Sequence, residues 1–146
     1  MIIGAIGGAL SSMKAKDNFV LTMDLRQSLQ DHGAGETVFG SAPLSVVGTA
    51  RALNHAKDDP LIKGLFIRAN QFGMAPASSE EIRLAIKDFK SSGKFVITHA
   101  QGFEGTSLMS YQAVSAADEI WMQPFSSVNI TGMHFDQPFL GKLLKE

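Results

Sequence analysis

The chain has 146 residues, no cysteine and a formal net charge of −1, with 45% hydrophobic and 18% charged residues. This length and composition fit one globular domain with a single core, and they argue against a disordered tail. The near-zero charge gives no basic surface for nucleic acid, and the lack of cysteine excludes disulfides and thiolate metal sites.

The first ten residues, MIIGAIGGAL, are apolar and rich in glycine. Ten residues are too few to cross a bilayer as a helix, which needs about 20. Lys14 and Lys16 follow the apolar run, whereas a secretory signal has its basic residues in front. We predict that residues 1–16 are the remnant of a membrane anchor, the alternative being a disordered or packed leader, and that residues 17–146 form one domain.

Strands and helices are predicted to alternate along the rest of the chain. Apolar, β-rich runs predict strands at residues 19–25, 62–69, 95–100 and 119–122. Helical spacing of apolar residues predicts helices at residues 45–57, 78–92, 107–116 and 139–145. This order indicates an α/β fold with a mainly parallel sheet covered by helices.

The second helix has the clearest sequence signals. Ser78 and Glu81 match a capping box, in which each side chain satisfies a free backbone N–H of the first turn. Gly93 is expected to cap the other end, and Ser45 to cap the preceding helix. The stripe expected to face the core consists of Ile82, Ala85, Ile86 and Phe89.

No nucleotide-binding or α/β-hydrolase motif is present, and no cofactor or metal is predicted. His99 lies at a strand end before a helix, a frequent place for active-site residues. A hydrogen-bonded structural role is the commoner one for such a lone histidine. A zinc site formed by His99, His134 and a carboxylate is the weaker alternative.

Two sets of polar residues could suggest catalysis. Glu80 and Glu81 are adjacent on a helix, so their side chains do not face each other, and a stabilising role at the helix start is expected. A serine nucleophile needs a base, and His99 is the only one near in sequence. The serines in question are Ser107, Ser110, Ser115, Ser126 and Ser127. From the residues alone, the prediction stops at a parallel α/β domain.

Three stretches in register resemble the signal peptide peptidase (protease IV, SppA) family. Residues 67–82, IRANQFGMAPASSEEI, resemble without a gap the family's L-R-I-N-S-P-G-G-S-x-x-A-S-E-E-I segment, and the matching residues are Arg68, Asn70, Gly73, Ser79, Glu80, Glu81 and Ile82. Residues 56–64, AKDDPLIKG, resemble its A-x-x-D-x-x-I-K-G segment, and residues 115–124, SAADEIWMQP, its A-S-A-A-D-x-I-x-x-x-P segment. The resemblance extends from residue 19 to residue 146.

The resemblance implies a ClpP/crotonase-like fold of stacked βαβ units. It also implies a cofactor-free serine–lysine dyad that hydrolyses remnant signal peptides at the outer, periplasmic face of the bacterial inner membrane. A lysine buried in an apolar groove has a lowered pKa, so its neutral amine can take the serine proton.

The sequence departs from the family at the position of the nucleophile. The family's serine, in an S-G-G motif, lies ten residues before the aspartate that corresponds to Asp118. That position is Leu108, followed by Met109 and Ser110. Leucine has no oxygen, so it cannot be the nucleophile.

The oxyanion loop also departs from the family. Its P-G-G sequence corresponds to Phe72, Gly73 and Met74, so the second glycine is lost, and the side chain in its place disfavours close backbone approach to an oxyanion.

This pattern resembles the first repeat of the tandem members, which supplies the lysine while a second repeat supplies the serine. The family's lysine follows the helix that Phe139 begins, so it is expected after Glu146. Lys142 and Lys145 lie within that helix and do not match. We therefore assign no catalytic residue to this chain and expect it to be an inactive fragment of the N-terminal domain. Its expected partners are a peptide, a second protease domain, the membrane and further copies of itself.

Two alternatives stay open. One is a catalytically dead scaffold of the same fold, and the other is a crotonase-type domain that binds acyl-CoA through backbone N–H groups, which Met74 disfavours. Self-association is expected through Phe135, Phe139 and Leu143.

Overall fold

The computed structural model describes residues 18–26, 45–69, 73–104, 108–129, 131–132 and 136. Strands and helices alternate along these residues, as predicted. The elements are β1 (Phe19–Asp24), α1 (Val46–Asp58), β2 (Ile62–Arg68), α2 (Pro76–Lys90), β3 (Phe95–Ala100), α3 (Leu108–Val114) and β4 (Glu119–Met122). The predicted leader, most of the first loop and the helix from residue 139 lie outside the described residues.

The strands form one four-stranded sheet in the order β1-β2-β3-β4, and every neighbouring pair is parallel. Connections between parallel strands are nearly always right-handed, so three consecutive ones place their helices on the same face of the sheet. The α/β class with a parallel sheet is confirmed, and the architecture is consistent with a ClpP/crotonase-like fold.

The two faces of the sheet differ in burial. Leu65, Ile67 and Val96 point to the helices and are fully buried. Phe66 and Phe95 alternate with them and are half-buried and exposed, respectively. The predicted stripe of α2 packs onto the covered face, where Ile82, Ile86 and Phe89 are fully buried and Ala85 is half-buried.

The helix starts show one confirmed cap and one wrong prediction. The Ser45 hydroxyl accepts the Gly48 N–H at 3.0 Å, as predicted. The capping box of Ser78 and Glu81 is wrong, because α2 begins at Pro76 and its N-cap, Ala75, makes no side-chain cap bond. Proline suits a first turn, since its fixed φ is helical and its missing N–H would have no partner there. Ser78 lies inside the helix and is buried.

At the amino end of the sheet, Lys94 closes the C-terminus of α1. Its ammonium group donates to the carbonyls of Ala56 at 2.5 Å and Asp59 at 2.7 Å. Neither carbonyl has a partner within the helix, and that of Asp59 also accepts the Ile62 N–H at 3.2 Å. A lysine here therefore adds a charged donor to both and interacts favourably with the helix dipole.

At the same end of the sheet, Asp118 lies directly before β4 and contacts both α2 and β3. Its carboxylate pairs with Lys90 of α2 at 2.8 Å and accepts the backbone N–H of Val96 in β3 at 2.8 Å. The hydrogen bond from Lys90, followed by that from Val96, lowers the pKa of Asp118 below its ordinary value. This residue of the family-like segment therefore has a structural role.

After α2, Gly93 adopts a φ of +81° and donates its N–H to the Lys90 carbonyl at 3.0 Å. The predicted glycine at the end of this helix is confirmed. Among the described residues, no helix has the length and apolar character needed to cross a bilayer.

Candidate functional site

In open parallel α/β sheets, ligands bind where the strands end at their carboxyl termini. In this chain the end of β2 leads through Gly73 and Met74 to α2, and the end of β3 leads through residues 101–104 to α3. Phe72 and Ser107, both singled out from the sequence, lie outside the described residues.

Leu108 is the first residue of α3 and is half-buried. Leu108 therefore lies at the start of the helix that follows the carboxyl end of β3. Two residues further on, Ser110 points into the core with 2% exposure. A residue that is closed off from solvent in this way is a poor candidate for attack on a peptide.

The other candidate serines within the described residues, Ser115, Ser126 and Ser127, form structural hydrogen bonds. Ser115 donates its hydroxyl to the Gln112 carbonyl at 2.7 Å, and Ser126 donates to the Gln123 carbonyl at 2.6 Å. Ser127 donates to the Glu104 carboxylate at 3.2 Å. None of these partners is a lysine or histidine that would act as a base.

In the loop before α2, Gly73 is exposed, whereas Met74 is half-buried and packs against the hydrophobic core. Met74, which aligns with the second glycine of the family-like P-G-G sequence, thus packs an apolar side chain against the core.

A two-point contact between α2 and α3 was not foreseen from the sequence. The Ser79 hydroxyl, fully buried, donates to the Met109 carbonyl at 2.6 Å. One turn further along α3, Gln112 donates its amide to the Glu80 carboxylate at 3.0 Å. We call this arrangement the α2–α3 clamp, and it fixes the first turn of α3, where Leu108 lies.

Glu80 is also held from its own helix. Arg83 donates two hydrogen bonds to its carboxylate, at 2.6 and 2.8 Å, and this contact lowers the pKa of Glu80. Glu81 points to solvent. The expectation that these carboxylates do not form a catalytic pair fits this geometry. The sequence marked Ser79 only through the family-like S-E-E-I segment and Glu80 only as a residue of the helix start, because no local pattern predicts contacts 30 and 32 residues away.

At the carboxyl end of the sheet, the segment after β3 packs against the segment after β4. Phe103 is fully buried, and its backbone pairs with the segment after β4 through hydrogen bonds to Ser127 at 3.0 Å and from Asn129 at 2.7 Å. Its ring meets that of Tyr111 in α3 edge to face, with centroids 5.2 Å apart. At Gly102 a Cβ would lie 3.3 Å from the Ser126 Cβ, so the two segments touch there.

His99 is half-buried in β3, with Arg68 and Trp121 as its neighbours in register. Its carbonyl accepts the Ala69 N–H at 2.8 Å. His134, its suggested zinc partner, lies outside the described residues. Within the residues that the structure describes, no group of three or more histidines or carboxylates is placed to hold a metal ion.

No family model matches the chain. It is 34% identical to Protease 4 of Haemophilus influenzae over 102 residues, which is 69% of this chain and 16% of that protein. It is 27% identical to the chloroplastic serine protease SPPA of Arabidopsis thaliana over 133 residues, which is 91% of this chain and 19% of that protein. The matched region thus spans less than a fifth of the length of either relative.

Proposed function

The chain is related to the SppA family of serine proteases, and from this relationship we propose that it is the N-terminal, non-nucleophilic domain of a tandem signal peptide peptidase. In this proposal the whole protein is a serine endopeptidase with a serine–lysine dyad, anchored at the outer face of the bacterial inner membrane. It degrades signal peptides that have already been cleaved from their precursors.

Leu108 is the observation that carries the proposal. It begins the helix that follows β3, at the sheet end where ligands bind in this class of fold. Its side chain offers neither a nucleophilic oxygen nor a proton. The contacts of the α2–α3 clamp hold the start of this helix in place around a residue that performs no chemistry.

The catalytic groups are then supplied from elsewhere in the protein. We place the lysine beyond Glu146 and the serine in a second protease domain. A base and a nucleophile from two domains form a working dyad only when the domains are assembled, so this chain alone is expected to be inactive. Membrane attachment through the segment before residue 17 and assembly into a homo-oligomer belong to the same proposal.

Hydrolysis of a fluorogenic apolar peptide tests the proposal. We expect the full-length product of the source gene to cleave the peptide, and the 146-residue chain to show no turnover. Turnover by the chain alone, abolished in Ser110→Ala but kept in the exposed control Ser115→Ala, would place a nucleophile in this domain and refute the proposal.

Met74 favours a second candidate, a catalytically dead scaffold of the same fold. Its packing against the core fills the loop that would otherwise leave backbone N–H groups open to an oxyanion. A full-length protein that lacks a lysine after Glu146, and that assembles without cleaving peptides, would establish this candidate instead.

A further inference from the structure

The side of the sheet opposite the helices, which we call the open face, carries side chains from all four strands. The strand register arranges them in three rows that run across the sheet. The row at the amino end consists of Val20, Gly64 and Phe95. The middle row consists of Thr22, Phe66, Ile97 and Glu119. The row at the carboxyl end consists of Asp24, Arg68, His99 and Trp121.

The part of the open face towards the amino end is apolar and accessible. Val20 is 41% exposed and Phe95 is 42% exposed, while Phe66 is half-buried. The Phe95 ring lies directly against Gly64, where a Cβ would come 2.4 Å from it, so the ring extends over the neighbouring strand. A parallel sheet normally has both of its faces covered, and an exposed aromatic surface of this kind marks a binding site.

At the carboxyl end, Arg68 carries a positive charge that its neighbours do not fully neutralise. Its side chain is 46% exposed, and the nearest carboxylate oxygen among the described residues, on Asp24, is 3.9 Å away. That carboxylate is already bound by Arg26, which donates to it from Nε at 2.8 Å and from Nη2 at 2.5 Å. Two guanidinium groups therefore share one carboxylate, and Arg68 keeps its hydrogen-bonding capacity for another anion.

His99 and Trp121 continue the same row beside Arg68. The half-buried His99 is the register partner of Arg68, and neighbouring strands lie about 4.8 Å apart, so one carboxylate can accept hydrogen bonds from both side chains. On the next strand, Trp121 is 61% exposed, and its indole N–H donates to Glu119 at 2.6 Å. The row thus offers two donors for an anion and an aromatic ring beside them.

We propose that the open face binds the C-terminal end of an apolar peptide, whose terminal carboxylate is held by Arg68 and His99. The apolar side chains that precede this carboxylate pack on Phe66, Ile97 and Phe95. Four residues of strand separate the row of Arg68 from the row of Phe95, which is about 13 Å. The apolar surface therefore accommodates roughly the last four residues of an extended peptide.

The charges of the open face favour a single carboxylate over a polyanion. Glu119 lies on the same face, so a nucleic acid or an anionic membrane would meet this carboxylate beside the one guanidinium that lacks a hydrogen-bonded partner. A peptide end brings one negative charge and an apolar chain. The inference rests on the proposed function for the source of such peptides, because a peptide released by an earlier cleavage ends in a free carboxylate.

Binding is followed through Trp121, the single tryptophan of the chain, and by calorimetry. The 146-residue chain is titrated with an acetylated five-residue peptide of alanine and leucine that ends in a free carboxylate, and with the same peptide as its C-terminal amide. We expect the acid to bind about fivefold more tightly than the amide, since water screens an ion pair with a half-exposed arginine. Equal affinities, or no binding of either peptide, would overturn the proposal.

A matched pair of variants assigns the preference to Arg68. Arg68→Gln should bind the acid and the amide alike, whereas Arg51→Gln, which changes an exposed arginine of α1 on the other side of the sheet, should keep the preference for the acid. Circular dichroism checks that both variants are folded. A preference that survives in Arg68→Gln, or that is lost in Arg51→Gln, would contradict this site.

Octanoate distinguishes a peptide from a fatty carboxylate, because it has the anion and an apolar chain without peptide groups. We expect it to bind more weakly than the acid peptide, and equal binding would overturn the assignment to a peptide. These titrations involve no cleavage, so their failure would remove the binding site and leave the protease assignment to the assay of the full-length protein. Conversely, a full-length protein without turnover would leave the measured preference for the carboxylate unchanged.

Discussion

At the amino end of the sheet, Lys94 and Asp118 bind backbone groups of neighbouring elements, whereas at the carboxyl end Ser79 and Glu80 bind α3 beside Leu108. The contacts at the amino end close a helix and join a strand to a helix. Those at the carboxyl end hold the first turn of α3, which begins at Leu108. The contacts at the amino end thus secure the end of one helix and the start of one strand, whereas those at the carboxyl end fix the position of one helix start.

The largest effect is expected at the carboxyl end, from Phe103→Ala. This change removes a fully buried ring and its contact with Tyr111, and it should lower the free energy of unfolding by about 3–5 kcal/mol. Chemical denaturation measures the loss. Phe125→Ala is the control, because that ring is fully exposed after β4 and its removal should change stability by about 0.5 kcal/mol or less. Equal losses in the two variants would mean that Phe103 is not part of the core.

At the amino end, Lys94→Met should cost about 2 kcal/mol. Two carbonyls at the end of α1 lose a charged donor, while the aliphatic part of the side chain is kept. The matched control is Lys63→Met, since Lys63 is exposed and donates to a single carbonyl, that of Pro60. Thermal unfolding should place the control close to wild type, and a Lys94 variant as stable as the control would show that the cap contributes little.

Ser79→Ala tests the α2–α3 clamp. The Met109 carbonyl would lose its buried donor, which should lower the free energy of unfolding by about 1.5 kcal/mol. Hydrogen exchange should also become faster in α3 than in α1, because the helix start is released. Ser115→Ala removes an exposed hydroxyl that directly follows α3 and donates to the Gln112 carbonyl of that helix, and little change is expected. If hydrogen exchange in the Ser79 variant became faster by the same factor in α1 and α3, the contact between Ser79 and Met109 would not be what holds the start of α3.

The smallest effect is expected from Asp118→Asn, about 1 kcal/mol or less at neutral pH, because the ion pair with Lys90 is partly exposed. The folded pKa of Asp118 is lowered, so its carboxylate stabilises the fold fully above the ordinary aspartate pKa of about 3.9. That contribution is lost as the pH falls through the lower, folded pKa. The difference between variant and wild type should therefore shrink below about pH 4, and a difference that grows in acid would contradict the assignment.

Local patterns predicted much of the fold. The strands at residues 95–100 and 119–122 have the predicted bounds, since Gly93 precedes the first and Pro124 follows the second, and both residues interrupt regular structure. The predicted N-cap of α2, Ser78, lies three residues after the observed one, Ala75, because the serine matches a capping pattern while Pro76 begins the helix.

The contacts at the two ends of the sheet could not be predicted in the same way. Lys94 reaches carbonyls 35 and 38 residues earlier in the chain, and Ser79 reaches one 30 residues later. Nothing in the spacing of polar residues encodes such pairs, since they depend on how the helices pack. The resemblance to a family pointed to Leu108, and the backbone placed that residue at the first turn of α3.

The most direct test is to map the reactive serine of the full-length source protein with a serine-directed peptide phosphonate, followed by mass spectrometry. We expect the modified serine to lie outside residues 1–146, with no adduct on any peptide from this domain. An adduct on a serine within residues 1–146, lost when that serine is changed to alanine, would contradict the central claim that this domain carries no nucleophile.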